Sequence, residues 1–425
     1  VDRVAASAAR EDMEMRSRFV DALLALVLVG GLSSGVAALA QAGAVTIGGT
    51  PGDPEGEADG LTAMFAGDLF DNFRHMERFV PTSVMSPSPE PWDLGPSRRS
   101  IRFSASFLGE PTSLEEFIAL SKTSAFVVIK DGVVVYEQYA HGDSRESLHT
   151  SFSVAKSFTS AMIGVALSEG RIESLDDPIR RYLPELTSPT FDGVTIRHVL
   201  QMSSGVRFDE DYQDPASDIN RMVGLVPPMS FLEFINTLPR DRAPGTFNHY
   251  ASINTQLLGL LLIRVTGEPL TDYMTRHLWH PLGMEERGLW TLDANGFELA
   301  MGGLAAGARD YAKLGLLYLN GGRRGARQVL PEGWTQESVT PNEPHLMPGE
   351  NPGSSNTAGY MYQWWTPPKW DGDFLARGIW GQNIYVHPRN RVVIVKLAAD
   401  EKNFDHDFKL AYMDYLQALG QSLSD

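Results

Sequence analysis

The chain has 425 residues, with 36 Lys+Arg against 53 Asp+Glu, and no cysteine. A net charge of -17 leaves no basic footprint for nucleic acid or anionic lipid. The missing thiols exclude disulfides, thiolate metal sites and a cysteine nucleophile. Hydrophobic residues at 43% and aromatics at 10% are enough to bury the core of one large domain or two fused lobes.

The first segment reads as an address. Arg16 and Arg18 precede an apolar run from Ala22 to Val29, and small residues follow at Ala38, Ala40 and Ala42. A positive flank, a short apolar core and a small-residue exit predict a secretory signal. Met13 and Met15 lie just before it, so residues 1–42 are expected to be an over-extended start plus a signal peptide. The implied location is periplasmic or secreted, with no stable membrane association after cleavage. The rival is an uncleaved anchor, weakened by Gly30, Gly31, Ser33, Ser34 and Gly35.

Residues 43–110 are expected to form a linker and an N-terminal wrap, with an extended Pro/Ser-rich stretch over 81–96. Two β-rich runs, 125–130 and 133–139, flank Asp131-Gly132 and predict a hairpin. Residues 153–169 are apolar nearly all round, which predicts a buried helix stopped by Gly170. Helices are also expected over 195–202 and 254–266. Late in the chain, 378–387 and 391–397 read as a second hairpin about Pro388-Arg389-Asn390, and 403–423 as a closing helix. The expected architecture is α/β. An antiparallel sheet from both chain ends (111–152 and 300–425), flanked by helices, holds an inserted, mainly helical region (153–299).

Three motifs carry chemistry. Ser153-Val154-Ala155-Lys156 is a Ser-x-x-Lys at the start of the buried helix. Three residues bring both side chains to one face. A lysine in an apolar setting has its ammonium disfavoured, so it can act as base to a serine nucleophile. The bland alternative, an N-cap serine beside a solvated lysine, fits poorly with an apolar helix. Tyr250-Ala251-Ser252-Ile253-Asn254 follows the Pro244-Gly245 turn. Tyr250 could relay a proton to a leaving group, with a neighbouring lysine lowering its pKa; alone, it could equally be a packed tyrosine beside an N-cap serine. Arg377-Gly378-Ile379-Trp380-Gly381-Gln382-Asn383 allows close backbone approach to a ligand. Its N–H could join that of Ser153 in an oxyanion hole, although a sheet kink would explain the glycines as well.

In this order the motifs resemble the serine β-lactamase and penicillin-binding-protein superfamily, in its class C-like branch. The phrases Leu175-Asp176-Asp177-Pro178, His198-Val199-Leu200-Gln201-Met202-Ser203-Ser204-Gly205, Pro281-Leu282-Gly283-Met284 and Gly302-Gly303-Leu304-Ala305 extend the resemblance over about 125–419. Tyr250-x-Ser252-x-Asn254, Gly378-Ile379-x-Gly381-Gln382 and Phe73-Arg74-His75-Met76 are similar to the 6-aminohexanoate-oligomer hydrolases and related carboxylesterases. The resemblance implies a β-lactamase-like fold and a cofactor-free, metal-free serine hydrolase of small amides or esters. It makes Ser153 the nucleophile, Lys156 the base and Tyr250 the proton shuttle, with the Ser153 and Ile379 N–H groups as oxyanion hole. The implied substrate-binding set is Tyr212, Ser252, Asn254, Trp380 and Gly381, with Tyr212 contacting the scissile amide. A homodimer is left open.

The chain departs from the β-lactamases in lacking Lys-Thr-Gly on the late strand, which implies poor β-lactam hydrolysis. Trp380 stands where many relatives carry His or Thr, and its indole should narrow the acyl pocket or wall it. The rival reading is a D-amino peptidase or a penicillin-binding-type peptidoglycan module, for which Arg377 is the candidate carboxylate-binding cation. Gly31 to Gly35 mimic a hydrolase elbow but fall in the signal segment. His277 and His280 have helical metal-pair spacing without a completing carboxylate pattern. Trp364, Trp365 and Trp370 read as core or cleft wall.

Overall fold

The structure, a computed structural model, describes residues 60–97, 101–225 and 229–424. The expected start and signal, 1–42, and the linker up to residue 59 lie outside the described residues. No helix among the described residues is long and apolar enough to cross a membrane.

The centre is a seven-stranded antiparallel sheet. Its main strands are β1 (Thr123–Lys130), β2 (Val133–Tyr139), β3 (Phe374–Gly378), β4 (Gln382–His387) and β5 (Val392–Ala398). They stand side by side as β3-β4-β5-β1-β2, and the short strands Gly359–Tyr360 and Trp365–Thr366 extend the β3 edge. Both chain ends therefore build one sheet. Asp131 (φ +51°) and Gly132 (φ +77°) make the tight β1–β2 turn, which needs positive φ at both positions.

β1 is buried along almost its whole length because helices cover both faces. Val127 and Ile129 join one core with α3 (Ala308–Leu319), while Phe126 and Val128 join another with α4 (His406–Ser422). Between β2 and β3 the chain makes α1 (Ala155–Ser168), several short helices and α2 (Ser252–Thr266). The two long helices are buried over most of their surfaces and pack on each other.

Two expectations need correction. The stretch 378–387 is not one strand: β3 ends at Gly378, residues 379–381 form a turn, and β4 begins at Gln382. Trp380 (φ +65°) and Gly381 (φ +92°) leave the extended region, which breaks the strand. The 81–96 stretch is also more than a wrap. Thr82–Met85 pairs with Gly288–Thr291, which pairs with Leu304–Gly307, which pairs with Leu148–Thr150. This second, four-stranded sheet ends at the door of the site.

Candidate active site

Strand Leu148–Thr150 runs into Ser151, whose N–H and Oγ both donate to the Leu304 carbonyl, at 2.9 and 3.0 Å. A 3₁₀ turn, Phe152–Val154, then leads into α1. Phe152 has φ +46°, a conformation that costs of order 1–3 kcal/mol in a bulky residue. Its ring packs on Phe73 (centroids 5.1 Å apart) and Phe65 (6.0 Å), which holds it there. Ser153 thus sits on a braced turn rather than in the first turn of an α-helix. The Ser-x-x-Lys spacing straddles the junction and still brings the two side chains together.

Lys156 is 2% exposed. Its Nζ donates to Ser153 Oγ at 3.0 Å and to the Met301 carbonyl at 2.6 Å. Burial pushes its pKa down to about 8, against an opposing pull from Glu210. An amine in this state can accept the proton of a hydroxyl nucleophile. The Met301 carbonyl fixes the ammonium without neutralising it.

Tyr250 lies beside them, with Lys156 Nζ 5.3 Å from its ring centroid. Its ring stacks on Trp365 at 5.1 Å. The expectation that a neighbouring lysine lowers its pKa is overturned. Burial, seconded by the Glu210 carboxylate, raises it well above the usual phenol value, and hydrogen bonding with Ser153 and Ser252 offsets this only in part. Tyr250 is therefore a phenol that keeps its proton.

The third wall is the end of β3. A Cβ on Gly378 would stand 2.2 Å from the Ser151 carbonyl oxygen and 3.2 Å from Ser153 N, so only glycine fits there. That contact brings the backbone of Gly378 against the Ser153 turn. Gln382 Nε2 bridges the carbonyls of Ile379 (3.3 Å) and Ala398 (2.6 Å), and Asp400 N–H donates to the Trp380 carbonyl (3.1 Å). The turn is thus held by Gln382 and by the Asp400 backbone.

The expected substrate-binding residues separate. Tyr212 is partly exposed, and its hydroxyl donates to Glu210 Oε1 at 2.5 Å. Ser252 is not an N-cap: it is the first residue of α2, and both its N–H (2.8 Å) and its hydroxyl bond to Glu210. Asn254 is 1% exposed and packs its Nδ2 on Met202 Sδ. At Gly381 an added Cβ would lie 2.9 Å from Lys396 Nζ, so the position admits no side chain without displacing that amine. Trp380 is buried in a cluster with Phe65, Phe73 and Phe404.

Of the tryptophans, Trp364 is core, and Trp365 walls the site behind Tyr250. His277 and His280 diverge: His277 Nδ1 meets Glu169 at 2.9 Å, and His280 Nε2 meets Ser86 Oγ at 3.1 Å. Among the described residues no cluster of three or more metal-ligating side chains occurs. Sequence reasoning missed Glu210 and the Met301 carbonyl. Glu210 sits two residues before Tyr212 in an acidic run that looks like a solvated loop.

A family model described as Beta-lactamase matches residues 121–418. The chain belongs to this family. It is a serine hydrolase with a β-lactamase-like fold. A 6-aminohexanoate-dimer hydrolase of Paenarthrobacter ureafaciens is 32% identical over 336 residues, 77% of this chain and 84% of that protein. A solved structure from Bacillus anthracis, described as a 6-aminohexanoate-dimer hydrolase, superposes with a TM-score of 0.73 at 28% identity, covering 83% of this chain and 95% of that one. A penicillin-binding protein of Bacillus halodurans shares the fold at a TM-score of 0.56 and 21% identity, covering 72% of this chain and 98% of that one.

Proposed function

We propose that this hydrolase cleaves small amides and esters through an acyl-Ser153 intermediate, in the manner of the 6-aminohexanoate-oligomer hydrolases. The observation that carries the reading is the buried Lys156 amine, 3.0 Å from Ser153 Oγ. Ser153 Oγ attacks the carbonyl carbon and its proton passes to Lys156. The N–H groups of Ser153 and Ile379 hold the developing oxyanion. Tyr250 gives its proton to the leaving nitrogen or oxygen and is recharged from Lys156. The C–N or C–O bond breaks, and water then attacks the acyl ester by the reverse relay to release the acid and free Ser153.

Amide cleavage is favoured by the role the family resemblance gives Tyr212, whose hydroxyl is held by Glu210 beside Ser252, and by the similarity to the Paenarthrobacter ureafaciens enzyme. The test compares initial rates on p-nitrophenyl butyrate and on the linear 6-aminohexanoate dimer, with Ser153→Ala as control. Dimer turnover comparable to ester turnover, lost in the control, is the expected result. Ester turnover alone would make the chain a carboxylesterase.

A second reading, a D-amino peptidase, rests on Arg377. Its guanidinium lies over Trp365 (5.4 Å) and Tyr412 (5.9 Å), and its buried Nε has no hydrogen-bond partner among the described residues. Turnover of D-alanyl peptides above that of the dimer would favour it. Export is part of the proposal too, carried by the Arg16–Ala42 pattern. N-terminal sequencing of the protein recovered from the periplasm or medium tests it.

A further inference from the structure

The carboxylate of Glu210 does three things at once. Its Oε1 accepts from the hydroxyls of Tyr212 (2.5 Å) and Ser252, and its Oε2 accepts from the Ser252 N–H at 2.8 Å. Three donors converging on one side chain call for an acceptor-only group. A carboxylate supplies it, and the strongest bonds of this kind are those to a charged partner. The loop that carries Glu210 is itself tied down: Asp209 N–H donates to Asp218 Oδ2 at 2.9 Å, and Asp211 N–H to Asp209 Oδ1 at 3.0 Å.

We propose that Glu210 is a positioning residue of the hydrolytic site, a clasp that joins the 209–212 loop to the start of α2 and so holds Tyr212 and Ser252 beside Tyr250. Without it, the Tyr212 hydroxyl keeps only its contact with Ser252, whose own hydroxyl and N–H are held by Glu210. The phenol would be free to leave the scissile bond, and a bound substrate would have to order it again.

The clasp also carries charge into the site. Lys156 is faced by Glu210 from the loop and by Tyr250 from the segment before α2. Tyr250 in turn is faced by Arg377 of β3 and packs on Tyr360. Of these groups Glu210 is the one whose charge favours the Lys156 ammonium. It therefore holds the lysine's titration higher than burial alone would leave it.

Glu210→Gln separates the two effects from mere structure. An amide keeps the size, loses the charge, and must point its NH₂ at either the Ser252 N–H or the two hydroxyls. The expected result has two parts. Amide turnover falls roughly 10-fold or more through kcat, the scale of a misplaced positioning group. The acid limb of kcat/KM on a neutral ester moves to lower pH by roughly 0.5 unit or more, because removing the anion lowers the pKa of Lys156. A side chain that only supported the fold would not move that limb. An unmoved limb, or undiminished amide turnover, overturns the proposal.

If the Gln variant does not fold, Ser252→Ala, Tyr212→Phe and their double variant decide. Losses that couple, with the double variant little worse than the worse single, support a shared clasp, and additive losses overturn it. The proposal rests on the reading of Ser153 as nucleophile. A Ser153→Ala control that stays active defeats that reading. A Ser153-dependent enzyme whose limb does not move defeats only the clasp.

Discussion

Lys156 Nζ stands 3.0 Å from Ser153 Oγ, at a junction where a 3₁₀ turn becomes α1. The pair has a direct consequence for pH. Burial lowers the lysine pKa to about 8. Below that value Lys156 is an ammonium and cannot take the serine proton; above it the amine is free. The kcat/KM on a neutral ester should therefore rise with pH through about 8. Lys156→Ala should lose roughly 10²-fold or more together with that limb. A pH–rate profile that is flat through this region would remove Lys156 as the base.

Tyr250 predicts a dependence on the leaving group. Its phenol holds its proton because burial and Glu210 disfavour the phenolate. An amide nitrogen must be protonated to depart, whereas p-nitrophenolate leaves without help. Tyr250→Phe should cost roughly 10²-fold in kcat on an amide. The loss on p-nitrophenyl butyrate should be much smaller, with KM little changed on either substrate. Equal losses on both would mean that the tyrosine shapes the site rather than passing a proton.

In the proposed mechanism the oxyanion geometry depends on Gly378. A Cβ there would meet the Ser151 carbonyl oxygen at 2.2 Å, and that atom belongs to backbone fixed on Leu304. Gly378→Ala must push β3 away from the Ser153 turn and take the Ile379 N–H with it. The expected loss is on the scale of one oxyanion donor, roughly 10²-fold in kcat, on esters and amides alike. Full activity with an intact fold by circular dichroism would exclude a role for Ile379 N–H.

What was legible in the sequence was local. Ser153 and Lys156 could be paired from a spacing of three, and the β1–β2 turn from Asp131-Gly132, because both depend on neighbouring backbone alone. The four-stranded sheet was not legible. Its strands are three or four residues long and come from three distant regions of the chain, so no period could form. Met301 was missed because it contributes a carbonyl oxygen, which every residue has. Glu210 was missed because its partners, Tyr212 and Ser252, meet it only through the fold. The burial of Asn254 was not legible either, because it follows from α2 beginning at Ser252, which the motif alone does not show.

The helix that bears the site also makes a stability prediction. Gly164 lies in α1, where replacing glycine by alanine ordinarily gains about 1 kcal/mol of helix propensity. Here the added Cβ would stand 2.6 Å from two ring atoms of Trp334. That ring is 3% exposed and packs on Tyr362 at 5.4 Å, so it has little room to turn aside. Overpacking of this kind costs about 1–3 kcal/mol, and the contact is close enough to place Gly164→Ala at the upper end. The clash should win, leaving the variant less stable by about 1–2 kcal/mol. Eight residues separate Gly164 from Lys156, about 12 Å along the helix, so the rate per folded molecule should hold. Urea unfolding read beside ester turnover checks both parts, and a midpoint unchanged or raised would mean that Trp334 yields to the methyl group.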